Sequence, residues 1–309
     1  RVAYSFTQQS TSGRLSVFYI KKHGKAILYE SPFYSTSRCK TPLARHDMQN
    51  SPLIIAQIKQ KIQQMEQDYN IRILYACESG SRGWEFASPD SDWDVRFIYA
   101  HPLDWYLRVN PERDVIELPI NADLDISGWE LRKSLQLLQK SNPALLEWLD
   151  SPIIYQQNVA VMAEYRALAQ QLYKPKACIY HYHQMAKRNF SENLLKETVR
   201  YKKYFYVLRP VLACQWIEQG FGVVPMRFTD LLERLLPTGA LRECIDALIV
   251  WKKSASEAAT GAPIDLLTHY LKAELSRLDQ VCNAMQVEPY PLEIYQACDD
   301  FLSHTLQAK

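Results

Sequence analysis

Two β-prone runs, joined by a glycine–serine turn and a pair of alternating aspartates, constrain this chain more than any other part of its sequence. Residues 71–77 form an apolar run, Gly80 and Ser81 follow it, and Asp92 and Asp94 lead into a second β-prone run. Because residues i and i+2 of a strand face the same side, we expect the two carboxylates to project together. Paired oxygen ligands beside a small turn suit a magnesium-bound polyphosphate. The segment therefore predicts a strand–turn–strand unit that acts on a nucleotide.

The composition indicates a globular protein whose main part is mildly acidic. The chain has 309 residues, of which 47% are hydrophobic and 23% charged, enough for two domains with buried cores. Its formal net charge is +2, and the basic excess of residues 1–47 leaves a net negative charge on the remainder. This balance argues against a broad electrostatic surface for duplex nucleic acid, although it is compatible with a local basic groove.

The cysteines and the hydropathy exclude two other classes of protein. The seven cysteines contain no C-x-x-C pair and no His/Cys pattern at zinc spacing. We therefore expect reduced thiols in a cytoplasmic protein, with no disulfide partner. No apolar stretch approaches the length that spans a bilayer, so no membrane partner is expected.

The first 47 residues differ from the rest of the chain. They are rich in Ser and Tyr and poor in acidic residues, and the first methionine is Met48. Three interpretations compete: a targeting peptide, a disordered basic arm, or sequence upstream of the true start. We predict that residues 1–47 are a disordered or extraneous extension and assign them no function.

The order of predicted elements indicates an α+β fold, in which a small mixed-sheet domain is followed by an all-α helical domain. In residues 48–156, apolar spacing predicts a helix beginning near Pro52, strands at 71–77, 93–99, 114–120, 124–126 and 153–155, and helices at 130–139 and 143–149. In residues 157–309 it predicts helices at 159–172, 177–190, 196–218, 229–236, 241–251, 264–285 and 292–306. We place the catalytic site in the first of these domains.

Other motifs for metals and phosphates do not fit the aspartate segment. Asp90, Asp92 and Asp94 begin like a calcium loop, but Val95 stands where that loop needs glycine and His101 where it needs glutamate. A P-loop needs a second glycine followed by lysine, which is absent at the required spacing. Taken alone, the turn and the aspartates also fit an ordinary strand–turn–strand corner with a solvated acidic loop.

Five strings, in order along the chain, add more specific information. They are GSRGW at 80–84, SPDSDWDVRFIY at 88–99, GWELRK at 128–133, EWLDSP at 147–152 and KYFYVLRP at 203–210. Together they resemble the polymerase-β-type nucleotidyltransferase superfamily, and more closely the predicted nucleotidyltransferases associated with RNA repair in bacteria and phages. The resemblance covers residues 48 to the carboxyl end. It implies an enzyme that moves a nucleoside monophosphate from an NTP, most readily ATP, to an acceptor hydroxyl with release of pyrophosphate.

The resemblance also implies a catalytic metal site. Asp92 and Asp94 carry over as catalytic ligands of two divalent ions, Mg²⁺ with Mn²⁺ as the alternative. The third catalytic and metal-binding carboxylate is assigned to Asp125, although Asp123 would lie on the same face of its strand and stays an alternative. Two such ions clamp the attacking and leaving oxygens of an in-line displacement. The alternative role for Asp123 or Asp125 is that of a carboxylate that caps the following helix.

The nucleotide contacts are predicted in the turn and in the helical domain. Gly80 and Ser81 would cradle the β- and γ-phosphates, and Arg82 or Arg96 would either add charge or form structural ion pairs. In the helical domain, basic and aromatic side chains alternate, and they comprise Lys187, Arg188, Phe190, Arg200, Tyr201, Lys202, Lys203, Tyr204, Phe205, Tyr206 and Arg209. Of these, Lys187, Lys203 and Tyr204 are predicted to bind the nucleotide. The alternative is a solvated basic face above core aromatics.

The acceptor stays open at this stage, with an RNA end as one candidate. A non-catalytic nucleotide- or RNA-binding module on the same fold is one alternative function, and an enzyme that modifies a protein partner is another. The presence of all three candidate carboxylates favours catalysis.

Overall fold

The computed structural model describes residues 17–22, 25–30, 51–88, 91–118, 124–254, 259–284 and 292–308. Near the amino end, β1 (Val17–Lys22) and β2 (Lys25–Glu30) pair as an antiparallel two-stranded sheet. This pair falls within the segment that we predicted to be a disordered or extraneous extension. The rest of residues 1–47 lies outside the described residues.

A five-stranded mixed sheet carries the aspartate segment. Its strands are β3 (Arg72–Glu78), β4 (Trp93–Ala100), β5 (Val115–Glu117), β6 (Leu124–Glu130) and β7 (Ile154–Gln157). They lie in the order β5-β6-β4-β3-β7, with β4 and β6 parallel and the other neighbours antiparallel. The mixed α+β fold predicted from the sequence is therefore confirmed. The one-turn helices α2 (Gly80–Gly83) and α3 (Leu103–Tyr106) follow β3 and β4.

Helix α1 (Ser51–Asp68) covers one face of this sheet. Its apolar residues Ile58, Ile62 and Met65 recur at helical spacing and are almost fully buried. They pack in one cluster with Ile73 and Phe97 of the sheet. The periodicity that predicted this helix is thus the periodicity of its buried face.

Two capped helices, α4 (Leu131–Gln139) and α5 (Pro143–Leu149), follow the sheet's β6 strand. The Glu130 carboxylate accepts the N–H groups of Arg132 and Lys133, at 2.9 and 3.1 Å. Asn142 caps α5 by accepting the N–H of Leu145 at 3.1 Å, and Pro143 occupies its first turn. Such caps satisfy N–H groups that have no intrahelical acceptor, which explains why both helices begin where they do.

The remaining helices are α6 (Val159–Leu172), α7 (Pro175–Asn193), α8 (Lys202–Glu218), α9 (Phe228–Leu235), α10 (Ala240–Ser254), α11 (Asp265–Ala284) and α12 (Leu292–Gln307). The predicted helix over 196–218 is wrong in its first turns. Instead, β8 (Val199–Arg200) pairs with β9 (Thr260–Gly261), and the helix begins at Lys202. The predicted strand at 114–120 is also too long, since only 115–117 are extended among its described residues.

One hydrophobic core links the sheet to these helices. It includes Leu74 and Ile98 from the sheet, Leu146 from α5, and Leu208 and Leu271 from α8 and α11. The predicted boundary near residue 156 stays a prediction, since this core continues across it. Within the described part of the chain, no helix combines the length and apolar character needed to cross a bilayer.

Candidate active site

Two of the predicted carboxylates meet in the middle of the sheet. Asp94 on β4 stands directly opposite Asp125 on the parallel strand β6. Both accept hydrogen bonds from Nη2 of Arg96, at 3.2 Å for Asp94 Oδ1 and 2.7 Å for Asp125 Oδ2. The three side chains are 19–28% exposed, so the cluster opens to solvent on one side. The structure thus brings Asp94 and Asp125 to one point.

Arg96 belongs to this cluster because it follows Asp94 by two residues on the same strand. Its Nη1 also donates to the carbonyl oxygens of Val95 and Asp125, at 3.0 and 3.2 Å. The positive guanidinium between the two carboxylates offsets their mutual repulsion. Of the two interpretations of Arg96 made from the sequence, the structure shows the ion pair.

The glycine turn lies directly against Asp94. The Ser79 N–H donates to the Asp94 carbonyl oxygen at 2.8 Å, and Gly80 has a φ of +56°. A Cβ at position 80 would lie 1.9 Å from Asp94 Oδ2, so both the left-handed backbone and the lack of space require glycine. Ser81 follows within α2 and is partly exposed. A phosphate held by this turn would therefore lie beside the Asp94 carboxylate.

Asp92 lies in the loop that precedes β4, and Arg82 of α2 contacts this loop. Asp92 lies one residue before the strand and is exposed, whereas Asp94 is the second residue of the strand. Arg82 donates to the carbonyl oxygens of Ser91 and Asp92, at 2.7 and 3.2 Å, and its guanidinium lies 4.0 Å from the centre of the Trp93 ring. In this arrangement Arg82 shapes the aspartate loop.

A fourth carboxylate, Glu78, was not singled out from the sequence. It is fully buried at the end of β3. Its Oε1 accepts the Asp94 N–H at 2.9 Å and its Oε2 accepts the Tyr155 hydroxyl at 2.6 Å. Burial raises the pKa of Glu78 to about 7. An acidic residue ending an apolar strand, directly ahead of a glycine turn, is the signal that could have identified it.

The donor set fits magnesium. Among the described residues, no three His, Cys, Asp or Glu side chains come together to hold one metal ion. Mg²⁺ usually takes only one or two protein carboxylates and completes its shell with waters and substrate phosphates. Asp94 and Asp125 offer that pair of hard oxygen ligands beside the turn. Asp123 lies outside the described residues, and Asp125 is the candidate that the structure places next to Asp94.

Two predicted nucleotide contacts in the helical part are engaged elsewhere. Lys187 on α7 pairs with Asp279 on α11, with 2.8 Å between Nζ and Oδ1. Tyr204 is fully buried, and its hydroxyl lies 2.9 Å from Thr268 Oγ1 and accepts the Ile264 N–H at 2.7 Å. Because the Tyr204 ring is buried, it offers no open face on which a base could stack.

The turn is instead joined to the helices through a buried polar network. Glu147 on α5 accepts hydrogen bonds from Arg209 at 2.8 Å, from the Tyr182 hydroxyl at 2.6 Å and from the Trp84 indole at 3.3 Å. Arg209 is 2% exposed, so it is a structural partner in this network rather than an open phosphate contact. Because Trp84 directly follows α2, the network connects the glycine turn to α5, α7 and α8.

Next to this network, α8 carries Lys203 and Tyr206, which contact each other. The Lys203 ammonium lies 4.8 Å from the centre of the Tyr206 ring. The Tyr206 ring stands edge-on to Trp84, with 6.1 Å between the ring centres. Among the predicted lysines, Lys203 is thus linked to Trp84 indirectly, through the Tyr206 ring.

Sequence comparison agrees with this arrangement. Residues 54–302 match the model of the RNA repair pathway DNA polymerase beta family, RlaP. The chain belongs to this family. The resemblance found in the five strings is therefore confirmed, and the match covers the sheet, the turn and most of the helices. A further relative is the uncharacterized protein YcgL of Bacillus subtilis (strain 168), 45% identical over 228 residues, which cover 74% of this chain and 88% of that protein.

A solved structure shows a distant likeness. It is a nucleotidyltransferase-like protein from Exiguobacterium sibiricum 255-15, 12% identical, covering 76% of this chain and 83% of that one. The TM-score is 0.24, too low for any inference about the fold or the site. Membership of the family therefore rests on the sequence match.

Proposed function

We propose that this protein is a metal-dependent nucleotidyltransferase that moves a nucleoside monophosphate from an NTP, with ATP as the first candidate, to an acceptor hydroxyl. The observation that carries the proposal is the pairing of Asp94 with Asp125 beside the turn at Gly80. The family description, which names an RNA repair pathway, makes an RNA end the acceptor to test first.

The roles of the residues follow from their positions. Asp94 and Asp125 would hold Mg²⁺, or Mn²⁺ in its place, and the exposed Asp92 would complete the set once substrate is bound. Gly80 and Ser81 would approach the β- and γ-phosphates through their backbone, and Lys203 would add positive charge from α8. Bound Mg²⁺ would lower the pKa of the acceptor hydroxyl and offset charge on the pyrophosphate.

Three residues predicted to contact the nucleotide have other roles in this proposal. Arg82 orders the loop that carries Asp92, through its bonds to the Ser91 and Asp92 carbonyls. Lys187 and Tyr204 are not assigned to the nucleotide site, because Lys187 is paired with Asp279 and Tyr204 is buried.

One observation favours the alternative of a non-catalytic binding module on the same fold. Arg96 already forms ion pairs with both Asp94 and Asp125, and so supplies positive charge where a metal would bind. Such a module would bind nucleotide without needing a divalent ion. The two functions therefore differ in metal dependence and in pyrophosphate release.

The test is transfer of label from α-³²P-labelled NTPs to RNA ends, together with pyrophosphate release. We expect label transfer and pyrophosphate release in Mg²⁺ and neither after the metal is chelated. Asp94→Asn and Asp125→Asn should each lower the rate of transfer by about 100-fold or more, which is the scale of removing a group that acts in the transition state. Asp279→Asn, which removes an aspartate from the surface pair with Lys187, serves as the matched control and should keep full activity.

Two outcomes would contradict the proposal. Transfer that survives in Asp94→Asn and Asp125→Asn, with unfolding midpoints like the wild type, would exclude these carboxylates as metal ligands. Tight nucleotide binding that needs no divalent ion and yields no pyrophosphate would establish the binding module. Label that appears on a copurifying protein rather than on RNA would keep the enzyme class and change the acceptor.

A further inference from the structure

Lys252 is a buried lysine near the end of α10, and it contacts the loop that carries Asp92. It is 5% exposed, whereas the next residue of the helix, Lys253, is exposed to solvent. Lysine is almost never fully buried without a partner. Lys252 Nζ donates to Ser88 Oγ at 3.2 Å, across 164 positions of the sequence. The buried lysine therefore joins the helical part of the chain to the segment before β4.

Ser88 belongs to a small buried network that it forms with Ser91. The Ser88 N–H donates to Ser91 Oγ at 3.0 Å, and the Ser91 N–H donates to the Ser88 carbonyl oxygen at 3.0 Å. Their hydroxyl oxygens lie 2.9 Å apart, and both residues are almost fully buried. Serine side chains commonly stabilise turns by bonding to nearby backbone in this way. The two serines thus fix the chain directly before Asp92.

The backbone of Asp92 is held by the same set of contacts. Arg82 bonds the carbonyl oxygens of Ser91 and Asp92, so a chain of contacts runs from Lys252 through Ser88 and Ser91 to Asp92. Asp92 precedes β4 and lies outside the paired residues of the sheet. Its position therefore depends on how the loop is held, and not on the strand ladder that places Asp94.

The segment just before Ser88 is fixed to the helices as well. The buried Phe86 ring stacks on Phe205 of α8, with 4.6 Å between the ring centres, and stands edge-on to Phe228 of α9 at 5.5 Å. Lys252 Nζ lies 5.9 Å from the centre of the Phe86 ring, which is within the range of a cation–π contact. One lysine thus contacts both the aromatic anchor of the segment and the first serine of the turn.

We propose that Lys252 is a positioning residue, which holds the loop of Asp92 in the shape needed to complete a metal site with Asp94 and Asp125. This inference rests on the proposed function and adds to it a residue from α10. Groups that orient metal ligands without touching the metal typically change metal affinity by about 10- to 100-fold when they are removed. The alternative is that Lys252 serves only the packing of α10, in which case its removal changes stability alone.

The first measurement is hydrogen exchange of the full chain without metal or nucleotide, read by mass spectrometry. Lys252→Met keeps an unbranched side chain of similar length and removes the donor. We expect the peptide that contains Ser88 and Ser91 to exchange about 10-fold faster in this variant, because the N–H groups of both serines are bonded within the turn. Peptides from α1 should keep wild-type rates. Lys253→Met is the matched control and should behave like the wild type throughout.

The second measurement is calorimetric binding of α,β-methylene-ATP, an analogue that cannot release pyrophosphate, at a series of Mg²⁺ concentrations. We expect Lys252→Met to need about 10- to 100-fold more Mg²⁺ for half of its maximal binding. At saturating Mg²⁺ it should bind the analogue within about twofold of the wild type, because the direct nucleotide contacts remain. Lys253→Met should show the wild-type Mg²⁺ requirement. A purely structural role would lower the unfolding midpoint in urea without moving this requirement.

Two further variants trace the path from Lys252 to the aspartate. Ser88→Ala removes the hydroxyl that Lys252 contacts and should reproduce both effects. It is also a small change that tests the same contact if Lys252→Met does not fold. Lys252→Met combined with Asp92→Asn should need no more Mg²⁺ than Asp92→Asn alone, because the lysine acts through that aspartate. Additive shifts would show that Lys252 acts by another route and would overturn the inference.

The remaining outcomes distinguish this inference from the proposed function. An unchanged Mg²⁺ requirement in Lys252→Met and Ser88→Ala, with or without faster exchange of the loop, would overturn the positioning role. The proposed function would then still stand if the wild type transfers label. If the wild type neither binds the analogue nor transfers label, the proposed function fails and the role of Lys252 toward a metal fails with it. Faster exchange in Lys252→Met would in that case show only that Lys252 anchors the loop.

Discussion

At the scale of single residues, Gly80 shows how closely the turn and the carboxylate are matched. Its φ of +56° is a conformation that side chains other than glycine adopt only with strain, and its position leaves no room for a Cβ beside Asp94. Gly220, at the end of α8, has a similar φ of +74° but open space around it. A comparison of alanine substitutions at the two glycines therefore distinguishes the cost of backbone strain from the cost of the close approach to Asp94.

We predict that Gly80→Ala is clearly more damaging than Gly220→Ala. The second variant should lower the free energy of unfolding by about 1–2 kcal/mol, the cost of a left-handed alanine. Gly80→Ala should lower the free energy of unfolding by about 1–3 kcal/mol more through its clash with Asp94. It should also lose binding of a nucleotide analogue such as α,β-methylene-ATP. Urea unfolding and calorimetry measure both effects. Equal losses in the two variants would show that the close approach to Asp94 is unimportant.

At the scale of elements, the buried pair of Glu147 and Arg209 joins α5 to α8. Arg209 also donates to the carbonyl oxygens of Pro225 and Met226, both at 3.1 Å, so it ties the segment before α9 to the same point. Losing one partner of such a pair leaves a buried charge without compensation, which is costly. Since Trp84 shares this network, the position of the turn depends on it.

We predict that Arg209→Met lowers the free energy of unfolding by about 3–5 kcal/mol, and that Glu147→Gln combined with it costs less than the sum of the single changes. A double-mutant cycle in urea gives the coupling. The exposed pair of Lys187 and Asp279 is the matched control, and Lys187→Met should cost less than about 1 kcal/mol and leave nucleotide binding intact. Additive losses at Glu147 and Arg209 would contradict the buried coupling.

At the scale of the whole molecule, the core that runs from the sheet into the helices predicts cooperative unfolding. Leu271 in α11 is fully buried in this core, whereas Leu266 in the same helix is 46% exposed. Domains that share a core unfold together, while domains joined only by a linker unfold separately. The distinction bears on function because the proposed nucleotide site draws on both parts.

We predict that Leu271→Ala lowers the free energy of unfolding by about 2–5 kcal/mol, and that hydrogen exchange of β4 loses as much protection as that of α8. Leu266→Ala should change both by less than about 1 kcal/mol, because its side chain is already half in solvent. Hydrogen exchange with mass spectrometry under mild denaturant measures the two segments separately. Loss of protection confined to the helices would show that residues 48–156 unfold independently.

Much of the fold could be predicted because its signals are local. The helices at 143–149 and 159–172 have the bounds that the sequence predicts. Their starts are set locally, because Asn142 and Asn158 stand directly before the helices and cap their first turns. The helix predicted from 196 failed for the opposite reason. Residues 199–200 pair with residues 260–261, and no pattern within one segment reveals a partner sixty residues away.

In the candidate site too, some features could be predicted from local sequence and others depend on contacts between distant segments. The strings around Gly80, Asp92 and Asp94, and the order in which they occur, identified the family and the residue types of the site. Which aspartate stands opposite Asp94 was decided by the register of β4 against β6, a contact between distant strands. The burial of Glu78 beside Asp94 likewise depends on Tyr155 from a third strand.

The tyrosines of α8 show the same limit most clearly. Tyr204 and Tyr206 are both aromatic residues beside basic ones, and the sequence by itself determined only that this helix carries rings and positive charge. The tertiary structure decided which ring is open, because Thr268 and Ile264 hold Tyr204 in the core while Tyr206 lies at the surface beside Trp84. The physical reason is that helical periodicity sets the angle between two side chains, whereas the packing of other elements sets which of them reaches solvent.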